Sequence, residues 1–161
     1  MADPPRAPTY ASISRKMTSD DSRADAPVSS DSGRARAIVA GHGDFAFGVV
    51  SAVEQITGRT DVFVTMTNKN LGAEDIELRM REQLDVTGAG VIFTDLPAGS
   101  CTVAARRVLR DRPTLVLVTG ANLATLIDFV FHAELSPADA ARRAADKGRA
   151  SLSVVGAPGA R

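Results

Sequence analysis

His42 stands between Gly41 and Gly43, with Asp44 next and an amphipathic run beginning at Phe45. A histidine in a glycine-flanked turn has small neighbours, which leaves the imidazole exposed and lets nearby backbone N–H groups face an anion. Asp95 closes a second apolar run, and Leu96-Pro97-Ala98-Gly99-Ser100 follow it. A carboxylate brought to one ring nitrogen of His42 would fix the tautomer and turn the other nitrogen outward as a nucleophile. Gly43, Gly99 and Ser100 would add backbone donors and a hydroxyl around a helix start, a donor set suited to a phosphoryl group. This chemistry calls for no metal and no organic cofactor. Phosphoryl transfer between imidazoles has a nitrogen leaving group and depends on alignment and charge stabilisation. By spacing alone a plainer account stays open: a surface histidine in a loop, and an aspartate capping a helix.

For these residues to meet, strands must deliver them to a common edge. Arg36–Ala40, Asp61–Met66, Gly90–Thr94 and Thr114–Thr119 are short, β-branched and bounded by Gly, Asp or Pro, and read as strands. Between them, 45–57, 71–84, 100–109 and 121–131 repeat apolar residues at helical spacing. Ser136 and Pro137 open a fifth, Ala-rich helix that is expected to stop at Gly148. Ser151–Val155 reads as a last strand at a sheet edge. The alternation predicts an α/β, flavodoxin-like, mostly parallel sheet of order 2-1-3-4 with helices on both faces. Its topological switch point falls between strands one and three, where the loops carrying His42 and Asp95 emerge. Residues 34–157 form the domain. Residues 1–33, rich in Ala, Pro, Ser, Asp and Arg, are too poor in apolar side chains to offset their ordering entropy and are expected to be a disordered tail.

The 161 residues carry no net charge and are 44% hydrophobic, enough for one domain core. Without a clustered basic face, nucleic acid is not an expected partner. The single cysteine, Cys101, excludes an internal disulfide and suits a reducing compartment, and no apolar run approaches the roughly 20 residues of a membrane span. No signal segment is seen, so a cytoplasmic location without membrane insertion is expected. Cys101 reads as a small buried helix residue and His132 as a structural residue at a helix end. Asn122 and Arg106 lie at the rim without an assigned role. Gly41-x-Gly43-x-x-Ala46 also matches a dinucleotide fingerprint. However, the end of strand two offers Met66, Thr67 and Asn68 where a ribose-binding acid belongs, and His42 would crowd the pyrophosphate.

Ile38–Gly58 (IVAGHGDFAFGVVSAVEQITG) resembles the opening of the mannose-type IIA family of bacterial sugar phosphotransferase systems. Thr94–Leu109 (TDLPAGSCTVAARRVL) is similar to that family's second motif, and Thr119–Phe131 (TGANLATLIDFVF) continues the match in the same order. The resemblance implies that His42 takes a phosphoryl group from phospho-HPr and passes it to a histidine of a IIB domain. IIC and IID membrane subunits would be served indirectly, and Asp95 would hold the imidazole. It also implies a homodimer in which the C-terminal strand is exchanged between subunits. The alternative is a regulatory or dihydroxyacetone-kinase-coupled relative, but in that branch the histidine is usually followed by Ser, and here Gly43 follows. Ala98 departs from the family's glycine, and a positive φ there would strain it. Asp44 would repel phosphohistidine unless it turns back as the cap of the first helix.

Overall fold

The computed structural model describes residues 35–156. Four strands, β1 (Ala37–Gly41), β2 (Phe63–Thr67), β3 (Val91–Thr94) and β4 (Val116–Thr119), form one parallel sheet in the order β2-β1-β3-β4. The helices are α1 (Phe45–Thr57), α2 (Ala73–Thr87), α3 (Ser100–Leu109), α4 (Leu123–Phe131) and α5 (Pro137–Ala150). Fold class and strand order are those the sequence predicts. The reading of residues 1–33 as a tail lies outside the described residues.

Side-chain alternation along the strands divides the core into two layers. Val39 and Phe93 face Val53 of α1, Phe129 of α4 and the alanines of α5, whereas Ile38 and Ile92 face Ile76 and Met80 of α2 and Val108 of α3. Phe63, Phe93 and Phe129 pack as an aromatic trio, with ring centroids 5.1 to 6.2 Å apart. Register then decides where the loops emerge. Gly41 pairs with Thr67, Ala40 with Thr94, and Thr94 with Thr119, so all four C-terminal strand ends lie along one edge of the sheet.

Three local expectations are corrected. β2 and β4 start two residues late, because Asp61 is held by Arg59 in the preceding turn and Leu115 N–H closes a turn on the Arg112 carbonyl. α5 does not stop at Gly148 but runs through it to Ala150. Gly148 serves packing: a Cβ there would lie 2.0 Å from Thr125 Oγ1. Finally, Ser151–Val155 is not a strand in the single chain. Among the described residues it has no ladder partner, and Leu152, Val154 and Val155 are 86%, 93% and 90% exposed.

Candidate functional site

The first loop at the switch point is built by two glycines with different tasks. Gly43 takes a left-handed φ of 54°, which turns the chain sharply after His42. Gly41 is needed for space, since a Cβ would come 2.6 Å from Phe45 Cδ1 and 3.0 Å from Asp95 Oδ2. Both glycines of the apparent dinucleotide fingerprint are thus accounted for by local packing and turn geometry. Thr67, at the end of β2, donates its hydroxyl to the Gly43 carbonyl at 2.7 Å and ties the turn to the sheet.

Asp95 crosses from the end of β3 to His42. Its Oδ2 accepts both the His42 backbone N–H and the ring Nδ1, each at 2.8 Å. Burial pushes the Asp95 carboxyl up, but the backbone N–H, the ring and the charge of His42 together hold it below the usual carboxylate range. The group is therefore an anion at neutral pH. A carboxylate only accepts hydrogen bonds, so Nδ1 carries the ring proton and Nε2 keeps its lone pair. The His42 side chain is 46% exposed and that of Asp95 10%, which sets an accessible imidazole on a largely buried support.

The helix α3 supplies the third side of the site. Its N-cap is Gly99, and no side chain caps it. The backbone N–H groups of the first turn are therefore open to an anion. The Gly99 backbone is extended, so the glycine is there for proximity: a Cβ would lie 2.7 Å from His42 Cε1 and 3.6 Å from each ring nitrogen. Ser100 begins the helix, and its Oγ accepts from Asn68 Nδ2 at 3.0 Å. Below, the buried Thr102 hydroxyl donates to the Leu96 carbonyl and pairs with Thr94 Oγ1, which pins the loop that carries Asp95.

His42, Asp95, Gly43, Gly99 and Ser100 are thus brought to one edge of the sheet. Ala98 does not adopt a positive φ, so alanine causes no strain there. Asp44 occupies the N-cap position of α1 but makes no side-chain cap. The turn is closed instead by backbone bonds from Phe45 N–H to the His42 carbonyl and from Gly48 N–H to the Asp44 carbonyl. Cys101 is buried, and burial pushes its thiol up with the Asp95 charge adding to it; the Ser100 hydroxyl opposes this only in part. It is not an activated nucleophile. His132 lies at the opposite pole, where Nδ1 meets the Asp128 carbonyl and Arg36 reaches the His132 carbonyl. Asn122 caps α4 and donates to the Gly148 carbonyl, while Arg106 is exposed on α3. Thr67 and Asn68 were not singled out as site residues by the sequence; their only signal was a place at a strand end beside the switch point.

An open parallel α/β domain that holds a half-exposed histidine on a carboxylate at its switch point defines the class of fold and site. Within that class, the family profile of the EIIA-man type, the fructose IIA component of the phosphotransferase system, matches residues 36–145. The chain belongs to this family. No curated protein sequence matches it. Among solved structures, it is similar to the mannose/sorbose-specific IIA subunit from Enterococcus faecalis, with 20% identity, 80% of this chain and 99% of that chain covered, and a TM-score of 0.67. The IIA protein associated with the fucose utilization operon of Streptococcus pneumoniae shares 22% identity, covering 77% of this chain and 95% of that one, with a TM-score of 0.64. Component EIIA from Streptococcus agalactiae shares 18%, covering 70% and 93%, with a TM-score of 0.62. Among the described residues, no helix is long and apolar enough to cross a membrane.

Proposed function

We propose that this phosphotransferase-system component is a cytoplasmic phosphocarrier that accepts a phosphoryl group from phospho-HPr on His42 Nε2 and hands it to a IIB domain. Sugar uptake through IIC and IID subunits would be coupled to that relay. The observation that carries the reading is the pair of hydrogen bonds to Asp95 Oδ2, from the His42 backbone N–H and from Nδ1, which leaves Nε2 of the half-exposed ring with its lone pair.

In the transfer, the Nε2 lone pair forms a new N–P bond as the N–P bond of the donor breaks, and its electron pair returns to the donor imidazole. The proton stays on Nδ1. The ring becomes cationic, and Asp95, already ionised, stabilises that charge without itself taking the proton. The open N–H groups at the start of α3 and the Ser100 hydroxyl meet the equatorial oxygens, where charge accumulates in a loose transition state. The reverse steps deliver the group to IIB.

The sheet also supports a reading of the assembly. β4 is an edge strand, and an open parallel edge with exposed apolar chain beside it is normally covered. A groove of about 760 Å³ runs along it, lined by Val116, Val118, Asn122, Arg142 and Arg149 among others. The exposed Leu152, Val154 and Val155 of a second copy supply the missing strand, giving a symmetric homodimer by exchange.

The reading is tested by incubating the protein with phosphoenolpyruvate, enzyme I and HPr. An acid-labile phosphoryl group should appear on wild type, should be absent from His42→Gln, and should form more slowly on Asp95→Asn. A chelator added after HPr has been charged should change nothing. Label retained by His42→Gln removes the central assignment.

A further inference from the structure

One polar contact at the site has no part in the transfer described above: the amide of Asn68 on the hydroxyl of Ser100. Asn68 is the residue after β2, and its backbone is fixed on both sides. Its N–H donates to the Gly41 carbonyl at 3.3 Å, and its carbonyl accepts from Leu71 N–H at 3.1 Å. The side chain is half-buried and reaches across to α3, where Nδ2 lies 3.0 Å from Ser100 Oγ. The amide nitrogen is a donor with no lone pair to offer, so the serine oxygen must be the acceptor. A hydroxyl that accepts in this bond keeps its own single proton, for which the neighbouring Cys101 sulfur is a weak acceptor and a phosphoryl oxygen a strong one. Without Asn68 the same hydroxyl would rotate among its wells, and each rotamer that turns the proton away from the phosphoryl oxygens would have to be corrected at the moment of transfer.

We propose that Asn68 is a positioning residue for phosphoryl transfer: by donating to Ser100 Oγ it holds that hydroxyl as a hydrogen-bond donor toward the phosphoryl group on His42. The inference rests on the phosphocarrier reading. It assigns to the end of β2 a share in a site otherwise formed by the ends of β1 and β3. Asn68 touches neither the imidazole nor the phosphoryl group and acts through Ser100 alone.

A structural staple between β2 and α3 would show the same contact, so the test must separate the two roles. The single-turnover rate of phosphorylation at saturating phospho-HPr (kcat) and the half-saturating concentration (KM), thermal melting, and mapping of the label to His42 are measured for wild type, Asn68→Ala, Asn68→Asp, Ser100→Ala and the Asn68→Ala/Ser100→Ala pair. Asn68→Ala should lower kcat by about 5- to 10-fold, the scale of one well-placed hydrogen bond, with KM unchanged. Asn68→Asp keeps the shape but accepts instead of donating, so it draws the serine proton to itself and places an anion near the phosphoryl group; it should be slower still. This variant also preserves the test if alanine loosens the turn. On the Ser100→Ala background, removing Asn68 should change kcat by less than about 2-fold, because nothing is left for it to orient. An Asn68→Ala protein as fast as wild type, or an effect of Asn68 undiminished by Ser100→Ala, overturns the inference while wild type still carries label on His42. A wild type that takes no label overturns the phosphocarrier reading, and this inference with it.

Discussion

Gly99 has no conformational reason to be glycine, and that makes it an informative residue to change. Alanine would place a Cβ 2.7 Å from His42 Cε1, and the exposed ring is the part that can give. Gly99→Ala should therefore fold with a melting temperature close to wild type yet accept phosphate about 10-fold or more slowly, since the imidazole is pushed off its line of attack. Unchanged kinetics would mean that the ring moves freely and is not held for catalysis. The Asp95 carboxyl is depressed in the folded chain relative to its ordinary value of 3.8. Its contribution to stability is thus present above the unfolded pKa and is lost as pH falls through the lower folded one. Acid unfolding curves of wild type and Asp95→Asn should converge below about pH 4 and separate above it, with wild type the more stable. Curves that differ equally at every pH would contradict the lowered Asp95 carboxyl. Cys101 behaves in the opposite sense: a raised, buried thiol should resist alkylation in the folded chain and react once denatured. At this scale the places of His42, Asp95, Gly99 and Ser100 were legible, because His42 and Asp95 follow apolar runs and Gly99 and Ser100 open an amphipathic one. Thr67 and Asn68 were not. Their bonds to Gly43 and Ser100 span 24 and 32 residues, and no local pattern marks such a distant partner.

The elements were legible where periodicity and burial agree. β1 and β3 are buried on both faces and read as continuous apolar runs, and α1 ends at Gly58, whose φ of 71° is the left-handed cap expected of it. Gly148 shows where the same rule misleads. The sequence pattern makes it a helix stop, yet it lies inside α5 because α4 and α5 approach so closely there that a methyl group would meet Thr125 Oγ1. Gly148→Ala, a change that helix propensity alone would favour, should instead destabilise the domain by about 1–3 kcal/mol through overpacking. Pairing it with Thr125→Ser should not relieve the clash, because the hydroxyl is the atom in the way, whereas Thr125→Ala should recover part of the loss. Chemical denaturation of the four proteins decides this, and a more stable Gly148→Ala single variant would show that the two helices separate readily.

A single chain carries the fold and the chemical groups, but among the described residues the β4 edge of the sheet and the exposed Leu152, Val154 and Val155 have no strand partner. Ser151–Val155 could be recognised as strand-like from its residues, but a strand exists only with a ladder, and the described residues provide none. Sedimentation or light scattering should therefore find a dimer for the full-length protein. Deleting residues 151–161 should lower both its mass and its melting temperature, the latter becoming independent of protein concentration. A full-length monomer, or a truncation unchanged in both respects, would remove the exchange without touching the chemistry. The chemistry is tested most directly by locating the phosphorus atom. In protein labelled with ¹⁵N-histidine and phosphorylated by phospho-HPr, long-range ¹H–¹⁵N correlation with phosphorus coupling should find phosphorus on Nε2 of His42 and a proton retained on Nδ1. Phosphorus on Nδ1, or on His132, would contradict the account at its centre, because Nδ1 of His42 is the nitrogen bound to Asp95 and His132 lies at the far pole of the sheet.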